Sequence, residues 1–141
     1  MPKILLLEDD YDMTMLLQTL LEIEGYQVWS YDHQRPVVEQ AEEKIPDLVL
    51  LDVHLGGQDG IQILRQIRKA PVLREVRVVM TSGINMTEEC LRDGANAFIV
   101  KPYMPERLLE ILQQVLAAPA DQKTKEENPK SSSSVSYQKF L

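Results

Sequence analysis

At 141 residues and 44% hydrophobic content, the chain can bury one domain core but is short for two domains. Its formal charge of −7 argues against nonspecific nucleic-acid or anionic-membrane binding, which select basic surfaces. The single cysteine, Cys90, rules out an internal disulfide, and no His/Cys spacing suits zinc. Met1-Pro2-Lys3-Ile4 lacks the pattern of a signal peptide, and no apolar run approaches membrane-spanning length, so a cytoplasmic protein is expected.

Ile4 to Leu7 reads as a short buried strand ending on Glu8-Asp9-Asp10. Met13, Leu16, Leu17, Leu20 and Leu21 then fall at helical spacing, with Asp10 or Asp12 as the cap and Gly25 as the stop. Tyr26 to Tyr31 favours a strand. Pro36 suits the first turn of a helix carrying Val37, Val38 and Ala41, which Ile45-Pro46 ends. Asp47 to Asp52 contains four consecutive aliphatic residues, the mark of a strand buried on both faces, and ends on a carboxylate. A glycine-rich loop follows. Gly60 opens an amphipathic helix with Ile61, Ile63, Leu64 and Ile67, ending at Ala70-Pro71.

Val76 to Met80 is the fourth strand and finishes at Thr81-Ser82-Gly83. A short helix is predicted next, with Asn85 and Glu88 in capping-box spacing and Gly94 as its end. Ala97 to Val100 is the fifth strand, finishing at Lys101-Pro102. The last helix carries Leu108, Leu109, Ile111, Leu112, Val115 and Leu116. Five strand–helix alternations through Ala118 imply a parallel sheet covered by helices on both faces. From Pro119 the chain is polar and serine-rich, which predicts a disordered tail over 119–141 after a domain over 1–118. Val135, Tyr137, Phe140 and Leu141 stand out within that tail as a candidate docking peptide.

Four strand ends converge on one edge of such a sheet, where open α/β folds place their ligands. They deliver Glu8-Asp9, Asp52, Thr81-Ser82 and Lys101. Clustered carboxylates repel one another, and a hard divalent cation relieves that repulsion; oxygen ligands at this density suit magnesium. A hydroxyl and an ammonium beside the metal would cradle a phosphoryl group, with Asp52 as nucleophile.

On these residues the chain resembles the receiver domain of two-component response regulators over about residues 3 to 118. Leu5-Leu6-Leu7-Glu8-Asp9-Asp10 is similar to the family's acidic strand end, and Asp47-Leu48-Val49-Leu50-Leu51-Asp52 to its phosphoacceptor strand. Val78-Val79-Met80-Thr81-Ser82-Gly83 is similar to the strand that ends in the family's hydroxyl residue. Gly94-Ala95-Asn96-Ala97-Phe98-Ile99-Val100-Lys101-Pro102-Tyr103 is similar to its lysine strand. The resemblance implies an α/β, flavodoxin-like (βα)5 doubly wound fold with a five-stranded parallel sheet in order 2-1-3-4-5. It implies that Asp52 is the phosphoacceptor and that Asp9, Asp52 and the His54 backbone carbonyl bind Mg2+, with Glu8 acting through water. It further implies that Ser82 and Lys101 bind the phosphoryl group, that Lys101-Pro102 is cis, and that Ser82 and Phe98 form the switch, Phe98 rotating inward from an outward rotamer. Ser82 is preferred over Thr81, which would then point into the sheet.

Three positions depart from the family. Gly56 stands where proline is common, which suggests a looser loop; the segment from Ser82 to Gly94 is about one helical turn short; and Phe98 lacks the hydroxyl of a tyrosine. The implied partners are a sensor histidine kinase or phosphotransfer protein and a downstream protein that reads the face of the fourth helix, fifth strand and last helix. No direct nucleic-acid or membrane partner is expected, and no enzyme activity beyond self-catalysed phosphoryl transfer and dephosphorylation. The rival readings are a phosphorylation-independent adaptor with the same fold and, more weakly, a magnesium-dependent phosphohydrolase. The latter would want a second acid where His54 stands.

Overall fold

A computed structural model describes residues 1–124. In chain order the elements are β1 (Lys3–Leu7), α1 (Tyr11–Ile23), β2 (Gln27–Ser30), α2 (Val37–Lys44), β3 (Leu48–Asp52), β4 (His54–Leu55) and β5 (Gln58–Asp59). There follow α3 (Gly60–Lys69), a single 3-10 turn over Pro71–Leu73, β6 (Arg77–Ser82), α4 (Thr87–Arg92), β7 (Ala97–Val100) and α5 (Pro105–Ala117). Five of the strands form one parallel sheet in the order β2-β1-β3-β6-β7. With β6 and β7 as its fourth and fifth strands, this is the doubly wound order the sequence predicts.

The aliphatic runs explain the layering. β3 is buried along its whole length, as a central parallel strand covered on both faces should be. Alternation along the strands then feeds two cores. Leu5, Val49, Leu51, Val78, Met80 and Phe98 face one, which α3 fills with Ile63, Leu64 and Ile67. Ile4, Leu6, Leu48, Leu50, Val79 and Ile99 face the other, filled by Leu17 and Leu21 of α1 and by Leu108, Ile111, Leu112 and Val115 of α5.

Side-chain caps set the starts of two helices. The Asp10 carboxylate accepts from Met13 N at 3.0 Å and caps α1. Asp59 does the same for α3 through Ile61 N at 2.9 Å. The Lys101-Pro102 peptide bond is cis.

Two local expectations are corrected. The capping box does not form: Asn85 Oδ1 accepts from Thr87 N at 3.1 Å and Thr87 Oγ1 at 2.6 Å, a local turn, and Met86 takes the cap position without a side-chain bond. The loop after Asp52 is not loose. It forms the hairpin β4–β5, with Leu55 opposite Gln58 across Gly56-Gly57. Gly56 has φ +61 and Gly57 is not at positive φ, the pattern of a type II′ turn, whose first position favours glycine. Proline, fixed near φ −65°, could not occupy position 56 in this conformation.

The expectation of a disordered tail from residue 119 does not hold for its first six residues. Asn96, 3% exposed at the mouth of β7, donates through Nδ2 to Ala120 O at 2.7 Å and Gln122 O at 3.1 Å, and its own carbonyl accepts from Thr124 N at 2.6 Å. Lys123 Nζ donates to Leu91 O. The Asn96 Oδ1 is also fully used, by Val78 N at 2.8 Å and Arg68 Nη2 at 3.0 Å. Arg68 completes the arrangement by donating to the carbonyls of Gly94, Arg74 and Val76. Residues 119–124 are thus a strap under the base of the sheet. The remainder of the expected tail, with Val135, Tyr137, Phe140 and Leu141, lies outside the described residues.

Cutting the chain after Ala118 should therefore destabilise it relative to cutting after Thr124. Stranding the buried Asn96 amide would cost about 1–3 kcal/mol, read as a lower midpoint in urea for the shorter protein. Equal midpoints would show that the strap carries no stability.

Candidate functional site

The carboxyl ends of β1, β3, β6 and β7 lie side by side, so the residues that end or follow them meet at one edge. Register places Leu7 beside Leu51, Asp52 beside Thr81, and Ser82 beside Val100. Carboxylate oxygens of Glu8, Asp9 and Asp52 all lie within 4.8 Å of one another. Glu8 and Asp52 are buried, at 7% and 8% exposure, while Asp9 opens to solvent. Lys101 Nζ reaches into the group, 2.6 Å from Asp52 Oδ2 and 3.3 Å from Glu8 Oε1.

The backbone holds the nucleophile candidate in place. Asp52 Oδ1 accepts from His54 N at 3.0 Å, which fixes its rotamer and aligns the start of the hairpin. Gly60 N donates to Val53 O at 2.6 Å, so α3 begins in direct contact with the end of β3. A Cβ on Gly60 would fall 2.3 Å from the Asp52 carbonyl oxygen; only glycine fits there. At Gly56 a Cβ would stand 3.5 Å from Asp9 Oδ2, so the hairpin turn borders the acids with bare backbone.

The charges respond to this confinement. Burial pushes the Glu8 carboxyl above its ordinary value, with nearby Asp52 adding to the rise, against Lys101 and the Asp10 N–H, which lower it. Burial opposes the charge of Lys101, but hydrogen bonding and proximity to Asp52 and Glu8 outweigh it and hold the ammonium above its ordinary range. Two phenols border the acids and carried no role in the sequence reading. Tyr103 is pushed up by burial and then by Glu8 and Asp52, and Tyr31 by burial and then by Asp9 and Glu8. Tyr103 was findable from its place two residues after Lys101. Tyr31, at the end of an edge strand, gave no such signal.

The two residues expected to form a switch, Ser82 and Phe98, are both buried. Ser82 is 1% exposed, and its Oγ accepts from Ile84 N at 3.2 Å, which leaves its own O–H available to donate. By alternation Ser82 shares the face of Met80, the register partner of Phe98. Thr81 lies directly beside Asp52 in register, on the opposite face, and is 3% exposed. Phe98 corrects the expectation of an outward starting rotamer. It is 2% exposed and belongs to the core cluster of Met80, Cys90 and Ala95.

Three close oxygen donors, two of them buried beside one ammonium, suit a hard divalent cation, and Glu8, Asp9 and Asp52 are the residues that could hold it. Without a cation, the raised value of Glu8 has a stability consequence. A raised carboxyl contributes stability below its ordinary value of 4.5 and loses it as pH climbs through the raised value. In a chelating buffer, Glu8→Gln should therefore melt higher than wild type at pH 7, and the difference should vanish as pH falls below 4.5. A Glu8→Gln protein that melts lower at pH 7 would show that the Lys101 contact outweighs burial.

Comparison with known proteins agrees with this geometry. The family model of the response regulator receiver domain matches residues 4–113. The chemotaxis protein CheY of Bacillus subtilis is 30% identical over 118 residues, covering 81% of this chain and 97% of CheY. The phosphate regulon transcriptional regulatory protein PhoB of Escherichia coli is 31% identical over 117 residues, covering 81% of this chain but 51% of PhoB. The chain thus spans about half the length of the PhoB proteins it matches. Among solved structures, the receiver domain of a Pseudomonas aeruginosa sensor histidine kinase, with a magnesium ion coordinated in its active-site cleft, has a TM-score of 0.74 at 28% identity. It covers 83% of this chain and 98% of its own. The BeF3-activated receiver domain of Klebsiella pneumoniae RstA also has a TM-score of 0.74 at 28% identity, covering 82% and 99%. The matched span takes in every strand of the sheet and the whole acidic edge, and this chain belongs to the response regulator receiver domain family.

Proposed function

We propose that the chain is a phosphoacceptor signalling switch whose acceptor is Asp52. A sensor histidine kinase or a phosphotransfer protein supplies the phosphoryl group. An Asp52 carboxylate oxygen forms the new O–P bond as the P–N bond to the donor imidazole breaks and that nitrogen leaves with the electron pair. The observation that carries this reading is the ammonium of Lys101 at 2.6 Å from Asp52 Oδ2, inside a cluster of carboxylates. Lys101 is placed to follow the oxygens from carboxylate to acyl phosphate, and Ser82 O–H to donate to one of them. Asp9, Asp52 and the His54 carbonyl would hold Mg2+, with Glu8 acting through water. Bound magnesium supplies positive charge against the phosphoryl oxygens. The chain turns over no separate substrate; it forms and loses its own acyl phosphate.

Output runs through Ser82. Drawing its hydroxyl toward the phosphoryl group withdraws it from Ile84 N and so shifts the turn that leads into α4. Because Phe98 lies on the same face of the sheet, the packing of α4 and β7 adjusts with it, and the α4–β7–α5 face admits or releases a downstream protein. The structure holds Phe98 inward, so this reading needs only a change in the packing above the ring.

Incubation with magnesium and a small phosphodonor should give one phosphoryl adduct by intact mass on wild type and none on Asp52→Asn. A full adduct on Asp52→Asn would remove Asp52 as the acceptor. Magnesium should raise the melting temperature, since a ligand at a hundredfold excess over its Kd adds about 2.7 kcal/mol, and Asp9→Ala should abolish that rise.

Ser82→Ala should still take up phosphate but lose the change in hydrogen exchange that phosphorylation brings to residues 83–100. If Thr81→Ala loses that change and Ser82→Ala keeps it, the hydroxyl is Thr81.

A further inference from the structure

α1 buries Leu17 and Leu21 but turns a second apolar stripe outward. Leu16, Leu20 and Ile23 follow one another at spacings of four and three, so they lie along one side of the helix, while Met13, one turn before Leu16, is half-buried against the core. Leu16 is 61% exposed and Ile23 is 74% exposed, and Leu20 between them is half-buried. From Asp10 to Glu24 there are four acids and no lysine or arginine. Nothing among the described residues covers this face. A fitting occupant is short, apolar at helical spacing, and basic.

The chain itself carries such a segment. Tyr137, Phe140 and Leu141 stand at i, i+3 and i+4, the spacing of anchors that enter a groove from one helix face, with Val135 just before them. Residues 130–141 contain Lys130 and Lys139 and no aspartate or glutamate.

The strap decides where this segment starts. Thr124 is fixed to Asn96 at the base of β7, the edge strand that α5 covers on the side of the sheet shared with α1. Ile23, the end of α1, also lies toward that base, because a crossover helix runs back from the strand ends. From β7 to β1 is three strand steps, and with a helix layer the path is about 25 Å. The ten residues 125–134 span up to about 33 Å when extended.

We propose that residues 135–141 dock in the same molecule on the outward Leu16–Leu20–Ile23 stripe of α1, with Lys130 and Lys139 facing its acids. The first turn of α1 follows Glu8 and Asp9 directly, so the docked segment lies along the helix that leads from the acidic edge.

A photo-crosslinking residue, benzoylphenylalanine, in place of Ile23 in the full chain tests this, with a second variant at Leu16 in case the first folds poorly. Illumination should join either position to a peptide within residues 135–141 at the mass of a monomer. The double substitution Tyr137→Ser, Phe140→Ser should remove most of that product. The same probe at Val72, exposed after α3, should not give it. A product at twice the monomer mass would make a second copy the occupant and overturn the proposal. So would a product that survives the double substitution, one that forms equally from Val72, or none from either position of α1.

Discussion

Three carboxylates crowded against one ammonium are the constraint from which the rest of this structure follows. Glu8, Asp9 and Asp52 lie within 4.8 Å of one another. Two full charges at that distance repel by about 3 kcal/mol at an effective dielectric near 20. No single helix or loop would hold them so. They stay because β1 and β3 are paired in register up to Leu7 and Leu51, and each strand is pinned by aliphatic contacts on both faces. Lys101 answers part of the repulsion from β7, two strands beyond β3. The cores are thus arranged to keep together groups that would otherwise part, and the leftover negative charge is what suits the edge to a cation and a phosphoryl group.

The two ends of the sheet differ in how fully their polar groups are spent. At the base, Asn96 uses both side-chain atoms and both backbone groups, and Arg68 reaches three carbonyls and the Asn96 side chain. At the acidic edge, the Ser82 hydroxyl still has a proton to give and the Asp9 carboxylate faces water. Satisfied networks rigidify, and groups left with capacity are where a reaction can act. One pole fixes the register that the other relies on.

Much of this was legible in the residues. The aliphatic run of Leu48 to Leu51 and the run of Ala97 to Val100 led to Asp52 and Lys101, which the structure brings together at the acidic edge. What stayed hidden depended on geometry that composition does not encode. The Gly56-Gly57 hairpin turns on the sign of a backbone dihedral, and Asn85 had two local partners, of which Thr87 won over Glu88. The strap was hidden because its carbonyls, not its side chains, are what Asn96 binds; a polar sequence reads as solvated whether or not its backbone is captured. The burial of Phe98 depends on packing with residues from other elements, which its own strand does not encode.

The contact between Gly60 and the end of β3 bears on how variants of this protein should be interpreted. Position 60 opens an amphipathic helix and carries no chemistry, so an alanine there would pass as a mild, helix-favouring change. Yet its methyl would need the space of the Asp52 main chain, which the sheet cannot yield without moving the carboxylate. On the proposed function, a screen for lost phosphorylation would score such a variant beside changes at Asp52 itself, although it removes no charge, ligand or hydroxyl. The acidic edge is vulnerable from behind, through a residue that has no side chain.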